Sequence, residues 1–362
     1  MRISTAQIYQ QGLSGVLRQQ NTLNQTQLQL STGRKINSPS DDPVGAARLQ
    51  ELERAVEVND VYNRNVSRTR QRLQVEETAV ASAGELIQRV RELTVQASNA
   101  PLSDGDKAQI AVELRQRLDQ LVAIANTRDG DGEFIFAGAQ AGSEPFVRTA
   151  SGVDYVGDSI QRELSIGPGI TMRDGDTGDK VFMAIRDGNG VVSASQNPAN
   201  TGGGYIAVEN AIDQSAYDGD TYTVEFLDAE RFVVRDGLGN LVPGFDTLVP
   251  DPADPTPLTP SLPLVPEGVA YTAGDRISFA GVNVTVRGTP EAGDEFVIEP
   301  AANQSVFATL SDLIGALEGS SGTTADAALQ RQGIDDALAR LDRIETRFLE
   351  VRSDIGGRLN TL

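Results

Sequence analysis

Residues 6–30 read AQIYQQGLSGVLRQQNTLNQTQLQL. Taken at alternating steps of three and four, the stretch gives Ala6, Tyr9, Leu13, Val16, Gln20, Leu23, Gln27 and Leu30. This is an a/d heptad seam, apolar in most layers and amide-bearing at Gln20 and Gln27. One helix with such a stripe buries nothing by itself, and isolated helices are marginal in water. The seam calls for partner helices, and the rest of the chain has to supply them or leave them to another molecule.

The seam breaks at residues 31–43. Gly33 suits a helix C′ position, Pro39 and Pro43 forbid a continuous helix, and Asp42-Pro43 reads as an N-cap followed by a first helical residue. A second heptad pattern then runs through Leu52, Asn59, Val66, Leu73, Val80, Ile87 and Thr94. Its companion positions are Ala55, Tyr62, Thr69, Glu76, Ala83, Val90 and Ala97. A continuous helix from 52 to 97 would be roughly 70 Å long, which suits a rod or a bundle stave better than a compact domain. Glu76 and Asn59 interrupt its apolar pattern.

Ala100-Pro101 closes this helix, and Ser103 with Asp106 has the form of a capping box for the next. Ile110, Leu114, Leu118, Leu121, Val122 and Ala125 mark a shorter amphipathic helix, expected to run antiparallel to the preceding one. Residues 133–138 read as a short strand or hairpin. From 143 to 300 the pattern changes to short alternating runs between Gly, Asp and Pro: 180–185, 205–208, 221–226, 231–234, 276–279, 282–286 and 295–299. Gly219-Asp220 and Gly293-Asp294 both precede such a run, which suggests a repeated unit. Residues 249–268 hold seven of the sixteen prolines and read as a stiff excursion. Helix returns at 305–317. A last seam follows at Ile334, Leu338, Leu341, Glu345, Phe348, Arg352, Ile355, Leu359 and Leu362.

Composition narrows the function. The 362 residues include no Cys, His or Trp, and aromatics make up 5%. Without Cys there are no disulfides or thiolate nucleophiles, and without His the commonest general base and metal ligand is gone. No catalytic, cofactor or metal site is assigned, and the chain reads as non-enzymatic. No run is long and apolar enough to span a bilayer, and the N-terminus lacks the three-part pattern of a secretory signal. The net charge is −20. Residues 143–300 carry 25 acids against 9 basic residues, whereas residues 1–40 hold Arg2, Arg18, Arg34 and Lys35 and no acid. An acidic middle argues against nucleic acid and reads as a solvated, self-repelling outer surface.

Individual motifs favour plain explanations. Asp129/Asp131/Glu133 and Asp174/Asp176/Asp179 are loosely similar to calcium loops but lack the full spacing, and Asp-Gly turns account for them. Gly202-Gly203-Gly204 precedes a strand and not a helix, so it reads as a loop and not a phosphate cradle. Of the Asn-x-Ser/Thr sequences at Asn24, Asn65, Asn283 and Asn303, the first two fall in expected helices and read as chance.

The expected fold is α+β and multidomain. Both chain ends build a coiled-coil or bundle rod of long helices, with an all-β domain inserted in the middle. The expected divisions are 1–40 as a flexible heptad helix and linker, 41–142 with 301–362 as the rod, and 143–300 as the acidic β-domain. Such a molecule has long sides suited to stacking against copies of itself.

Residues 28–43, with Thr32, Gly33, Arg34, Asn37, Asp41, Asp42 and Pro43, resemble the N-terminal signature of bacterial flagellins and their junction proteins. Residues 351–360 resemble the matching C-terminal signature. Asp41-Asp42-Pro43-Val44 and the stretch holding Phe134, Phe136 and Gly138 are more similar to the hook–filament junction branch, hook-associated protein 3, than to flagellin. The likeness covers about residues 1–140 and 305–362. It implies an extracellular structural adaptor of the flagellum, exported unfolded through the type III apparatus with an export chaperone. It further implies a ring of self-contacts between hook-associated protein 1 and flagellin, with the chain ends inward and the β-domain outward. A filament flagellin is the alternative, and a surface adhesin carried by the β-domain a weaker one. Family members continue beyond the position resembling Asn360 into a helix that pairs with the N-terminal one. Residues 6–30 are therefore expected to lack an intrachain partner, and to be frayed or paired with a neighbouring molecule.

Overall fold

A computed structural model describes residues 5–99, 102–150, 152–209, 213, 215–242, 268–319 and 322–362. The proline-rich residues 249–267, Ala100, Pro101, Ser320, Ser321 and the side chain of Ala6 lie outside the described residues. The chain divides into two compact units, residues 1–67 with 165–171, and residues 68–164 with 172–362.

The first unit is built on α1 (Thr5–Thr32) and the opening turns of α2 (Pro43–Asn99). Gly33, at φ +64°, ends α1 in the left-handed conformation that glycine adopts without strain. Asp42 caps α2 by accepting the Gly45 N–H at 2.9 Å, and Pro43 takes the first helical position, where its missing N–H costs nothing. Asn65 donates its amide to the Ser165 carbonyl at 2.7 Å.

The second unit holds two apolar cores. The helical core joins α2 from Thr69 onward to α3 (Asp104–Ala125), α4 (Val306–Glu318) and α5 (Thr324–Thr361). The heptad positions Leu73, Val80, Ala83, Ile87, Val90 and Ala97 are all buried, as the spacing predicts. Ser103 and Asp106 form the expected capping box on α3, and Thr323 with Asp326 forms one on α5. Gly333 lets α5 approach α4 closely: an added Cβ would lie 2.7 Å from Ala316 Cβ.

This core also takes in a stretch that sequence patterning assigns to the β-domain. β1 (Phe146–Thr149) and β2 (Gly152–Tyr155) form a hairpin in it, while β3 (Glu163–Gly167) and β4 (Ile170–Arg173) pair as a hairpin outside this core. Phe146, Val153, Val181, Phe182 and Ile185 pack with the helices. Residues 180–185 are not a strand. Asp179–Met183 form a π-helical turn, followed by the two-residue β5 (Ile185–Arg186). The turn buries the adjacent residues Val181 and Phe182 together. Residues 133–138 likewise form turns. Their ladder contact is one bridge between Arg128 and Phe134, and four consecutive residues from Phe134 to Ala137 are buried.

The second core is a two-sheet β structure. Its strands are β6 (Val192–Gln196), β7 (Tyr205–Val208), β8 (Tyr222–Asp228), β9 (Arg231–Arg235), β10 (Val269–Ala270), β11 (Arg276–Phe279), β12 (Val282–Arg287) and β13 (Glu295–Pro300). The five-stranded sheet has the order β10-β9-β8-β13-β6, the three-stranded sheet β11-β12-β7, and all pairs are antiparallel. Alternate residues Tyr222, Val224 and Phe226 of β8 face the same core as Ile277, Phe279, Val282, Val284 and Val286 of the other sheet. The two Gly-Asp strands of the sequence are neighbours, with Val224 opposite Phe296. β14 (Asn303–Gln304) pairs with β5 and leads back to α4. The triple glycine is a loop, as read: a Cβ on Gly202 would fall 2.3 Å from the Asp294 carboxylate, which accepts the Thr201 N–H at 2.9 Å.

Candidate assembly face and buried charge network

The seam of α1 lies in water. Tyr9 is 82% exposed, Leu13 and Val16 63%, Leu23 59% and Leu30 86%. Gln20 and Gln27 are exposed as well, and so are Ile8, Leu17 and Leu28 on the flanks. The same holds for Val44, Leu49, Leu52, Val56 and Val61 in the first half of α2. Burying one such side chain fully stabilises by about 1.5–3 kcal/mol. Soluble monomers rarely carry a contiguous apolar stripe of this length.

The signature residues between the two helices act on the backbone. The Asn37 side-chain amide donates to the Arg34 carbonyl at 3.2 Å, and Asp41 accepts the N–H groups of Asn37 and Ser38 at 3.3 and 3.0 Å. Thr32 closes α1 by donating to the Leu28 carbonyl at 2.7 Å. A Cβ on Gly45 would meet the Asp42 carboxylate at 2.5 Å and Ile36 Cδ1 at 2.6 Å. Both acids are used in holding a tight turn.

The other signature residues converge inside the helical core. Phe134 stacks under the Arg128 guanidinium at 4.1 Å. Phe136 meets Phe182 edge to face at 5.1 Å. Gly138, at φ +66°, leaves no room for a Cβ, which would lie 2.2 Å from Asp158 Oδ1. The carbonyls of Phe134 and Ile135 accept from Arg72 Nη2 at 3.0 and 3.2 Å, and Arg72 Nη1 pairs with Asp129 at 2.6 Å. Arg162 binds Asp174 at 2.6 Å and Glu133 at 2.8 Å. That hydrogen bond holds the Glu133 carboxyl below its usual range. Arg358, from the C-terminal signature, pairs with Asp176, whose backbone N–H donates to Glu76 Oε1 at 2.9 Å. Burial first, and the neighbouring Asp176 second, raise the Glu76 carboxyl well above its ordinary range. The cavity among these groups is about 10 Å³, too small for a substrate. Among the described residues no group of three His, Cys, Asp or Glu is placed to hold a metal ion.

Sequence reasoning gives Asp174 and Asp176 only as turn residues and passes over Arg72 and Arg162. The available signals are Glu76 on a seam position, where an apolar residue belongs, and Arg358 inside a signature.

On α5, Ile334, Leu341, Phe348 and Ile355 are buried as expected, whereas Leu338 and Leu359 are half-buried. The positions between them are filled by Ala337, Ile344, Val351 and Arg358, each one residue earlier than the expected Leu338, Glu345, Arg352 and Leu359. Arg352 instead reaches the surface and pairs with Glu77 at 2.8 Å.

Comparison with known proteins places these features. Residues 3–141 match the bacterial flagellin N-terminal helical region. The chain is 31% identical to flagellar hook-associated protein 3 of Escherichia coli over 247 residues, 67% of this chain and 77% of that one. It is 35% identical to flagellar hook-associated protein 3 of Salmonella typhimurium over 185 residues, 51% of this chain and 58% of that one. The crystal structure of hook-associated protein-3 from Legionella pneumophila superposes with a TM-score of 0.76 at 29% identity, covering 86% of this chain and 92% of that one. Flagellins align over shorter stretches of this chain.

Proposed function

The chain belongs to the flagellar hook-associated protein 3 family, and from that premise we propose that it is the structural adaptor joining the hook to the flagellin filament. The carrying observation is the extent of the likeness. Similarity to a protein of that name covers 86% of the chain, helical and β-rich parts together, while the flagellin alignments are confined to shorter stretches. The exposed seams of α1 and early α2 support the same reading, because they present apolar stripes for further helices to cover.

In this role the chain contacts copies of itself in a ring, hook-associated protein 1 on one side and flagellin on the other. It reaches that place outside the cell through the flagellar type III apparatus, escorted by an export chaperone. Residues 1–40 serve as the inner-layer segment, residues 41–142 with 301–362 as the rod, and the acidic β-rich residues of 143–300 face outward. The contribution is structural and not catalytic.

Self-assembly of the purified chain tests the reading against the flagellin alternative. Under conditions where flagellin polymerises, the chain is expected to stay as monomers or short oligomers by light scattering and electron microscopy. Long homopolymeric filaments would assign it to the filament instead.

A further inference from the structure

Two polar atoms of the buried charge network meet in front of Gly175. Arg72 and Glu76, one turn apart on α2, are both buried. Arg72 spends its terminal nitrogens on Asp129 and on the carbonyls of Phe134 and Ile135. Its Nε–H stands 3.8 Å from Asp174 and makes no hydrogen bond among the described residues. Glu76 accepts the Asp176 N–H on Oε1, and its Oε2 has no hydrogen bond among the described residues. Apart from chain neighbours, the first atoms that a Cβ on Gly175 would meet are Arg72 Nε at 3.5 Å, Glu76 Oε2 at 3.6 Å and the Ile135 carbonyl oxygen at 3.6 Å. Arg72, Ile135 and Gly175 also line the cavity of about 10 Å³, with Thr177, whose hydroxyl is unpaired among the described residues too. That volume is of the order that one water molecule fills. The polarity selects the same occupant. The Arg72 Nε–H opposes a cation, and the two oxygens oppose an anion, whereas water accepts from a donor and donates to acceptors in one position.

We propose that a single buried water in front of Gly175 bridges Arg72 Nε, Glu76 Oε2 and the Ile135 carbonyl, and is a structural part of the core. The site serves either protonation state of Glu76. An ionised Oε2 accepts from the water. A neutral Glu76 carries its proton on Oε2, because Oε1 takes the Asp176 N–H, and the water then accepts it. The bridge ties α2 to the turn holding Ile135 and to the segment whose Asp176 pairs with Arg358. It also assigns a reason for glycine at 175. The φ of Gly175 lies outside the left-handed region, and a Cβ would make ordinary van der Waals contacts, so neither backbone strain nor a clash demands glycine there. The space is kept for the water.

Gly175→Ala in the full chain separates a wet site from a dry one. In a dry site the methyl fits and restricts the unfolded chain, so the folded-to-unfolded ratio should rise about two- to fivefold. In a wet site the methyl displaces the water and leaves two buried polar groups unpaired, so the ratio should fall on the order of tenfold or more. Urea unfolding reads the ratio, and the fall is the expected result. A high-resolution crystal structure of the parent should show an ordered oxygen about 2.7–3.2 Å from Arg72 Nε, Glu76 Oε2 and the Ile135 carbonyl. The same density should be missing in Gly175→Ala. A parent without that density, or a Gly175→Ala variant as stable as the parent or more so, overturns the proposal. Should Gly175→Ala not fold, the parent density decides it.

Discussion

Arg358→Ala removes the guanidinium that faces Asp176 inside the helical core. Arg358 and Asp176 are each 8% exposed, and Glu76 beside them is fully buried. Removing one member of a buried ion pair costs about 3–5 kcal/mol, because the other charge is left behind. The lower end applies here. Asp176 keeps the Gln161 amide at 3.1 Å and Arg173 at 3.8 Å, and Asp354, the other partner of Arg358, is half exposed and loses little. A loss of about 3 kcal/mol is expected, seen as a fall in melting temperature on the order of 5 °C by circular dichroism. Glu76→Gln is the companion. Its parent carboxyl is held above the usual range by burial and by Asp176, so the charged form is already disfavoured. A neutral amide of the same shape should change stability by less than about 1 kcal/mol, or raise it. A raised carboxyl destabilises the fold above its ordinary pKa, and that penalty is relieved as pH falls back through the raised value. Any gain from Glu76→Gln is thus largest at high pH and shrinks on acidification. Urea unfolding across pH separates the outcomes. If Arg358→Ala unfolds with the parent, or Glu76→Gln costs as much as Arg358→Ala, the network is wrongly described.

Three further outcomes are expected. Phe182→Ala removes a fully buried ring that contacts Phe136, Phe146, Phe307 and Phe348 at 5.1–5.9 Å, and should cost about 3–5 kcal/mol by chemical denaturation. Gly138→Ala forces a Cβ against Asp158 at positive φ and should lower the melting temperature well beyond Gly132→Ala, whose φ is also positive but whose surroundings are open. Gln20→Leu with Gln27→Leu replaces two amide layers by apolar ones. It should increase self-association in sedimentation while reducing motility, since polar layers lower stability but restrict pairing. Parental swimming in the double variant would remove that role from the glutamines.

The sequence carried the helices well because long heptads leave few alternatives. The seam of α2 is buried where the spacing puts it, from Thr69 to Ala97. On α5, positions 334, 341, 348 and 355 hold, but the intermediate layer slips by one residue. The pattern allows steps of three or four there, and packing chose Ala337, Ile344 and Val351 over Leu338, Glu345 and Arg352. The π-turn at 179–183 was illegible because apolar neighbours such as Val181 and Phe182 suit a buried strand equally well. The charge network was hidden by distance along the chain. Arg72, Arg162, Asp176 and Arg358 become neighbours only through tertiary packing, and each looks like a solvated charge when read alone. The exposure of the α1 seam was legible for the opposite reason: an apolar stripe with no complement in its own unit stays uncovered after folding.

Deletion of the chromosomal copy, with complementation by the intact gene, tests the junction role most directly. Hooks should persist, filaments should be absent, flagellin should accumulate in the medium, and complementation should restore swimming. Normal filaments on the deletion strain would contradict it.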